Sequence, residues 1–396
     1  MLGPTQMVSW GILYYGFGVM LPHIRAEMSW SAAEASGAFS IALLTGGLAA
    51  LPVGRWLDRH GPRGLMTAGS CAAVMLLIAL ANVQSLPMFY LVWSGIGLAT
   101  AAVLYEPAFW VVAHWFTRCR ARALTVVTFW AGLASTVFIP LISLLVQRLD
   151  WRNTLLLMAG VLAVCTVMPH ALLLRKNPAA LGLSVDGDEA LVSSNIDPAN
   201  QPSMTGRQLE LGLALRTRNF WLLALAFSLT TLVSTAMGTY FISSQLARGM
   251  DVSMTAAAAG AVGIMQAVGR LILVPISGRL PRSIMTALVC GLQALGLMGL
   301  VSLPVTASVI AYIVLYGLGL GALTPMRASL VAELFGVRAY GSINGSISLA
   351  STFSRGVAPI GMGMLITMHG DYSPSLLLLT GAAICATLSV LFLEKR

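Results

Sequence analysis

The chain has 396 residues, of which 57% are hydrophobic and 9% charged, and its mean hydropathy is +0.84. Soluble domains carry about a quarter charged residues, so this composition excludes a water-covered globular protein. The formal charge of +9 does not indicate nucleic-acid binding, because the basic residues stand singly or in small groups between apolar stretches.

Twelve apolar stretches are predicted, at about 6–24, 34–53, 64–82, 88–112, 123–147, 153–174, 219–245, 254–277, 284–303, 307–331, 340–367 and 374–393. Each is close to or above the ~20 residues that cross the hydrocarbon as a helix. None alternates in the manner of a barrel strand, so the expected fold class is an all-α membrane protein with twelve transmembrane helices. The first stretch begins almost at Met1, without the basic region and cleavage site of a signal peptide. Five cysteines (Cys71, Cys119, Cys165, Cys290 and Cys385) are scattered, with neither metal-ligand nor disulfide spacing. No cofactor and no metal are expected.

The connection between the second and third stretches, Gly54-Arg55-Trp56-Leu57-Asp58-Arg59-His60-Gly61-Pro62-Arg63, is the one densely charged segment in the first hundred residues. A turn this short can only return the chain at a membrane surface, and short loops rich in Lys and Arg stay on the cytoplasmic side. With both termini cytoplasmic, 16 of the 23 Lys and Arg fall in inside segments, 4 in outside segments, and Arg270, Arg327 and Arg355 within stretches. The expected location is the cytoplasmic (inner) membrane, multi-pass.

Residues 175–219 break the rhythm. They are polar and turn-rich (Asn177-Pro178, Asp186-Gly187-Asp188-Glu189, Asp197-Pro198, Gln201-Pro202), with a short surface helix expected near 207–215. This gives an amino-terminal six-helix bundle over 1–175, a cytoplasmic linker over 176–218 and a carboxy-terminal six-helix bundle over 219–396. The halves read as copies. Gly54-Arg55 and Gly278-Arg279 end the second and eighth stretches, Pro140 lies 24 residues after Phe116, and Pro359 lies 24 after Phe335. Each half has an even number of crossings, so the copies are parallel and related by a pseudo-two-fold axis, and parallel repeats of this kind place a substrate site at their interface.

On these residues the chain resembles the major facilitator superfamily over essentially its whole length. Gly54, Asp58, Arg59, Gly61 and Arg63 match the family's loop pattern, with Trp56 in place of the usual leucine and Pro62 in place of a basic residue. The second-half loop keeps Gly278, Arg279 and Arg282 and lacks the acid. Trp115-Phe116-Thr117-Arg118 with Gly132 and Pro140, Asp150-Trp151-Arg152 and Phe220-Trp221-Leu222-Leu223 resemble the monocarboxylate and oxalate:formate branch. The resemblance implies that Asp58, Arg59 and Arg63 latch the two halves on the cytoplasmic side. The plainer reading is that these charges only enforce topology.

Ionisable residues inside spans are the other candidates, because a charge at mid-bilayer needs a partner or a water-filled cavity. Arg270 lies eight residues before Gly278, about 12 Å inside the span end at 1.5 Å per residue, and Arg355 lies near the middle of its span. The resemblance implies that cations on the eighth and eleventh helices receive a substrate carboxylate, which the planar guanidinium binds bidentately. The alternative for Arg270 is a structural arginine bonded to carbonyls or a lipid phosphate. Glu106, in Tyr105-Glu106-Pro107, is the one acid within a span, and Arg327 occupies nearly the same place in the tenth. They are expected either to face each other as an inner gate or to form a static pair. Carboxyl groups taken out of water hold their proton to higher pH, which makes Glu106 the candidate proton carrier. By the same resemblance Tyr14, Tyr15, Tyr105, Trp130 and Tyr240 lie on cavity-lining helices, although aromatic residues in helices more often pack than bind. His23 reads as an interfacial residue.

Two function classes follow. One is a secondary transporter for a small organic anion, proton-coupled, acting as a monomer in the lipid bilayer; efflux of a drug-like compound by proton antiport is the variant to exclude. The other is a non-transporting sensor, for which the linker and the last few residues offer no output region. No catalytic triad, metal cluster or nucleotide loop points to an enzyme.

Overall fold

The computed structural model describes residues 1–116, 119–175, 178, 212–276, 280–335 and 340–393, without the side chains of residues 51, 58, 120, 121, 274, 328, 332 and 340–342. The described residues are helical nearly throughout, with no strand among them. The first span runs as Leu2–Trp10, a π-helical turn Gly11–Tyr15, and Gly16–Met28. The second is Ala32–His60, the third Pro62–Ala81, and the fourth is split into Leu86–Val103 and Tyr105–Trp115. Arg120–Gly132 and the helix Ala134–Leu162 supply the fifth and sixth, divided at Asp150, whose backbone is not helical (φ 65°, ψ 170°). The sixth ends through Ala163–Val167 and Met168–Leu173. The seventh to ninth are Arg218–Ala247, Val252–Ile276 and Arg282–Ser302. The tenth joins Val305–Ala311, a π turn Tyr312–Tyr316 and Gly317–Phe335, and Tyr340–His369 and Ser373–Leu391 follow as the eleventh and twelfth expected spans; nine helices among the described residues are long and apolar enough to cross a membrane.

Local chemistry sets the boundaries. Ser31 accepts from the Glu34 N–H while Glu34 accepts from the Ser31 N–H, a capping box that starts the second span. Asp251 caps the eighth: the Ser253 hydroxyl first, then the Met254 and Ser253 N–H groups, hold its carboxyl below the usual carboxylate range. Its folded value is depressed, so this cap contributes at neutral pH and is lost as pH falls through that lowered value. Gly61 turns the chain between the second and third spans at φ 82°, ψ 179°, a region open in practice to glycine alone. Pro62 then opens the third span, where its missing N–H has no helical acceptor to lose. Gly61→Ala is expected to destabilise the protein by ~1–3 kcal/mol, the range for a side chain forced into such backbone. Gly64→Ala, which has open space around it, is the control, and melting in detergent is the readout.

Of the segment expected to link two bundles, 176, 177 and 179–211 lie outside the described residues; within the expected surface helix, 212–215 is helical. Packing divides the chain into two compact units. One comprises Met1–Leu191, Gly238–Gly263 and Pro359–Thr367; the other comprises Val192–Met237, Ile264–Ala358 and Met368–Arg396. Inside the first, Phe17, Phe39 and Trp93 form an aromatic core, with Phe17 and Phe39 stacked at 4.4 Å. Inside the second, Phe220, Leu223, Phe227, Leu330, Val331 and Ile347 are buried together. Outward, large apolar side chains are bare: Leu48, Leu91, Leu271, Leu349 and Met368 each expose 70% or more of their surface. Water would not tolerate this and lipid does.

Candidate functional site

The fourth span is broken where the sequence places Pro107. A helical residue donates its N–H to the carbonyl four residues earlier, and proline has no N–H. The carbonyl released is that of Val103. The chain leaves helical geometry at the next residue, Leu104 (φ −79°, ψ −144°), and a new helix starts at Tyr105. In lipid a bare carbonyl costs several kcal/mol. Here Gln6 of the first span donates its Nε2 to the Val103 oxygen at 2.7 Å, and Gln6 is fully buried. Glu106 falls in the first turn of the new helix, at its positive end, which favours a carboxylate. Its side chain is exposed, and no partner for its carboxylate is recorded among the described residues.

Around this break stands a set of aromatic rings. Trp10 packs on Tyr105 at 4.9 Å and on Tyr14 at 5.2 Å, Tyr14 meets Tyr15 at 5.2 Å, and Tyr105 stacks on Phe109 at 4.9 Å. The π turn Gly11–Tyr15 lies between Trp10 and Gly16 and carries both tyrosines; such turns are common at functional sites. Tyr14, Tyr15 and Tyr105 are therefore brought together as one half-buried surface. Trp130 lies elsewhere, against Gly3, where a Cβ would come within 2.4 Å of its ring. Gln6 and Trp10 were not among the expected site residues. The signals for them were present: Trp10 is four residues before Tyr14, and Pro107 announces an orphan carbonyl that some neighbour must satisfy.

The second unit holds the three in-span arginines, each in different surroundings. Pro325 releases the Gly321 carbonyl, and Arg270 of the eighth span donates its Nε to that oxygen at 3.3 Å. The two helices touch there, since a Cβ on Gly321 would sit 2.0 Å from the Gln266 carbonyl oxygen. Arg327 donates to the Ser348 hydroxyl at 2.6 Å and the Asn344 carbonyl at 3.2 Å, and lies 5.5 Å from the centre of the Phe227 ring. Arg355 is exposed, and no partner for its guanidinium is recorded among the described residues.

Of the loop motif, the Asp58 side chain lies outside the described residues. Arg59 is exposed, and Arg63 donates its Nε to the Ala171 carbonyl at 2.7 Å, capping the end of the sixth span. Arg282, 219 residues on, instead pairs with Glu333 at 3.3 Å. Both partners are about half exposed, so the pair contributes ~0–1 kcal/mol. Gly278 and Arg279 lie outside the described residues.

At the opposite end of the spans, within the first unit, one contact occurs twice. Ser36 and Ser40 of the second span meet the eleventh at Pro359, the Ser36 hydroxyl donating to the Pro359 carbonyl and the Ile360 N–H donating to Ser40, each at 3.0 Å. In the copy, Thr136 of the fifth span donates to the Gly260 carbonyl of the eighth at 2.9 Å, and Gly260 faces Pro140. Tyr240 belongs to this seam rather than to the aromatic surface: it is fully buried and its hydroxyl donates to the Ala32 carbonyl at 3.0 Å. A Cβ on Gly363 would lie 2.5 Å from the Ser36 hydroxyl and 2.7 Å from the Tyr240 hydroxyl. Gly363→Leu is therefore expected to loosen the seam by ~1–3 kcal/mol, the overpacking range. Melting should fall for it and not for Gly381→Leu, which has open space. No cluster of three or more metal-ligating side chains exists among the described residues.

Comparison with known proteins gives one consistent answer. The family model described as "Major Facilitator Superfamily" matches residues 6–359. Human monocarboxylate transporter 11 is 25% identical over 394 residues, covering 94% of this chain and 77% of its own. Rat monocarboxylate transporter 12 is 24% identical over 335 residues, covering 80% and 68%. Among solved structures, that of the nucleoside transporter NupG superposes with a TM-score of 0.76 at 13% identity, covering 100% of this chain and 98% of that one.

Proposed function

Because the chain belongs to the Major Facilitator Superfamily, in which its relatives and fold are those of transporters and not of enzymes, we propose that it moves a small organic anion of the monocarboxylate type by alternating access, coupled to protons. The observation that carries the anion reading is Arg355. A guanidinium in the middle of a membrane span requires an anionic or strongly hydrogen-bonding partner, and none is recorded for it among the described residues. Relatives named as monocarboxylate transporters support the same class. Arg270, which donates its Nε to the Gly321 carbonyl, is the second cation assigned to the carboxylate in this reading.

In this reading the rings of Tyr14, Tyr15 and Tyr105 form the apolar wall of the site, and Glu106 carries the proton. Arg327, Asp58, Arg59 and Arg63 act in gating on the cytoplasmic side. The two halves, 1–175 and 219–396, are the bodies that rock, with 176–218 joining them. The termini are cytoplasmic, by the bias of basic residues. The doubled seam at Pro140 and Pro359 then closes the outer side and must part once per cycle.

The test is uptake of radiolabelled lactate, pyruvate, oxalate and benzoate into liposomes under an inward proton gradient, with Arg355→Ala beside the wild type. Uptake that collapses with the gradient and in the variant supports the proposal. Gradient-independent uptake replaces symport by exchange or uniport. Movement of cationic dyes, with no acid carried, replaces the anion reading by proton antiport of amphipathic cations.

A further inference from the structure

We propose that Gln6 is a positioning residue for the Glu106 carboxylate, acting through the carbonyl of Val103; the inference rests on Glu106 as the proton-carrying group. Pro107 cannot supply the N–H that Val103 would otherwise receive, so the acceptor must be met from outside the helix. Gln6 meets it across 97 residues of sequence, from full burial, at 2.7 Å. Only its amide nitrogen can donate, which fixes the orientation of the amide. Its Oε1 has no partner among the described residues, so Val103 is the recorded anchor of this side chain.

The consequence reaches Glu106 through the backbone. The break at Leu104 decouples Tyr105–Trp115 from Leu86–Val103, and Glu106 is the second residue of that new helix. The direction in which it projects is set by how the half-helix is held against the end of the preceding one. Gln6 pins that end. Without the pin, Val103 is left to draw in water, which changes how the two half-helices meet and so the aim of the carboxylate. The second half uses a related device on an unbroken helix, where Pro325 frees Gly321 and Arg270 takes the oxygen. The break in the fourth span is thus a local feature of the Glu106 site and not a necessary result of proline there.

The experiment is a double-mutant cycle read in two ways. Gln6→Leu removes the donor at similar size. Pro107→Ala restores an N–H that can satisfy Val103 internally. In thermal melting, Gln6→Leu is expected to lower stability alone and to have little effect in the Pro107→Ala background. In proton-driven uptake, Gln6→Leu is expected to shift the midpoint of the pH profile by about one unit or to flatten it, with KM for the anion within about twofold of wild type. Additive melting effects, or a pH profile superimposable on wild type, overturn the proposal. Glu106→Gln is measured in parallel. If it leaves the pH profile unchanged, the proton role of Glu106 falls, and a non-additive melting cycle then shows the Gln6–Val103 link standing without it.

Discussion

Arg355→Gln is expected to abolish uptake of small carboxylates while the protein melts as the wild type does. Stability is spared because the side chain is exposed and has no recorded partner among the described residues to lose. Transport is lost because a charge-assisted bond to a carboxylate contributes ~1.5–3 kcal/mol, and a carboxylate brought into the site without its cation adds a desolvation penalty. A total of about 3 kcal/mol or more corresponds to at least a hundredfold loss in affinity. Arg355→Lys keeps the charge and loses the planar fork, so it is expected to fall between the two. Equilibrium binding measured beside uptake separates a lost ligand contact from a lost conformational step. Uptake by Arg355→Gln within about threefold of wild type, at equal protein in the membrane, would remove Arg355 from the site.

Glu106→Gln is expected to remove proton-driven accumulation and to leave exchange of substrate across the membrane at equal pH. The glutamine keeps the size and the position in the first turn of Tyr105–Trp115 but cannot gain or lose a proton. A pH unit is worth ~1.4 kcal/mol, so a one-unit inward gradient drives up to about tenfold accumulation in a one-proton symporter. In the variant that ratio is expected to fall to about one. Counterflow of preloaded substrate needs no net proton movement and should persist. Equal loss of accumulation and counterflow assigns Glu106 to the substrate or to the fold instead, and retained accumulation excludes it as the proton group.

The shape of the site also explains why its parts were unequally legible. Tyr14, Tyr15 and Tyr105 were readable as candidates, and the structure gathers them beside a broken helix. Tyr240 carries the same side chain, yet it closes a seam by donating to Ala32. Nothing in its local sequence distinguishes the two uses of a tyrosine. Arg270 and Arg327 both hold backbone carbonyls, which for Arg270 is the structural alternative that its place in the span already offered. Gln6 is a neutral residue near the start of the chain, and only the position of the carbonyl it satisfies distinguishes it.

What the sequence determined by itself was everything the bilayer enforces residue by residue. Lipid leaves no backbone group unsatisfied, so each crossing must carry its own run of about twenty apolar residues, and among the described residues those runs are helical. Prolines mark their own broken bonds, and Gly61 marks its own left-handed turn. What only the tertiary structure decided was who answers each vacancy. Val103 is satisfied from 97 residues away, and Gly321 from 51. Such partners are chosen by which helices pack side by side, and spacing along one helix carries no record of its neighbour.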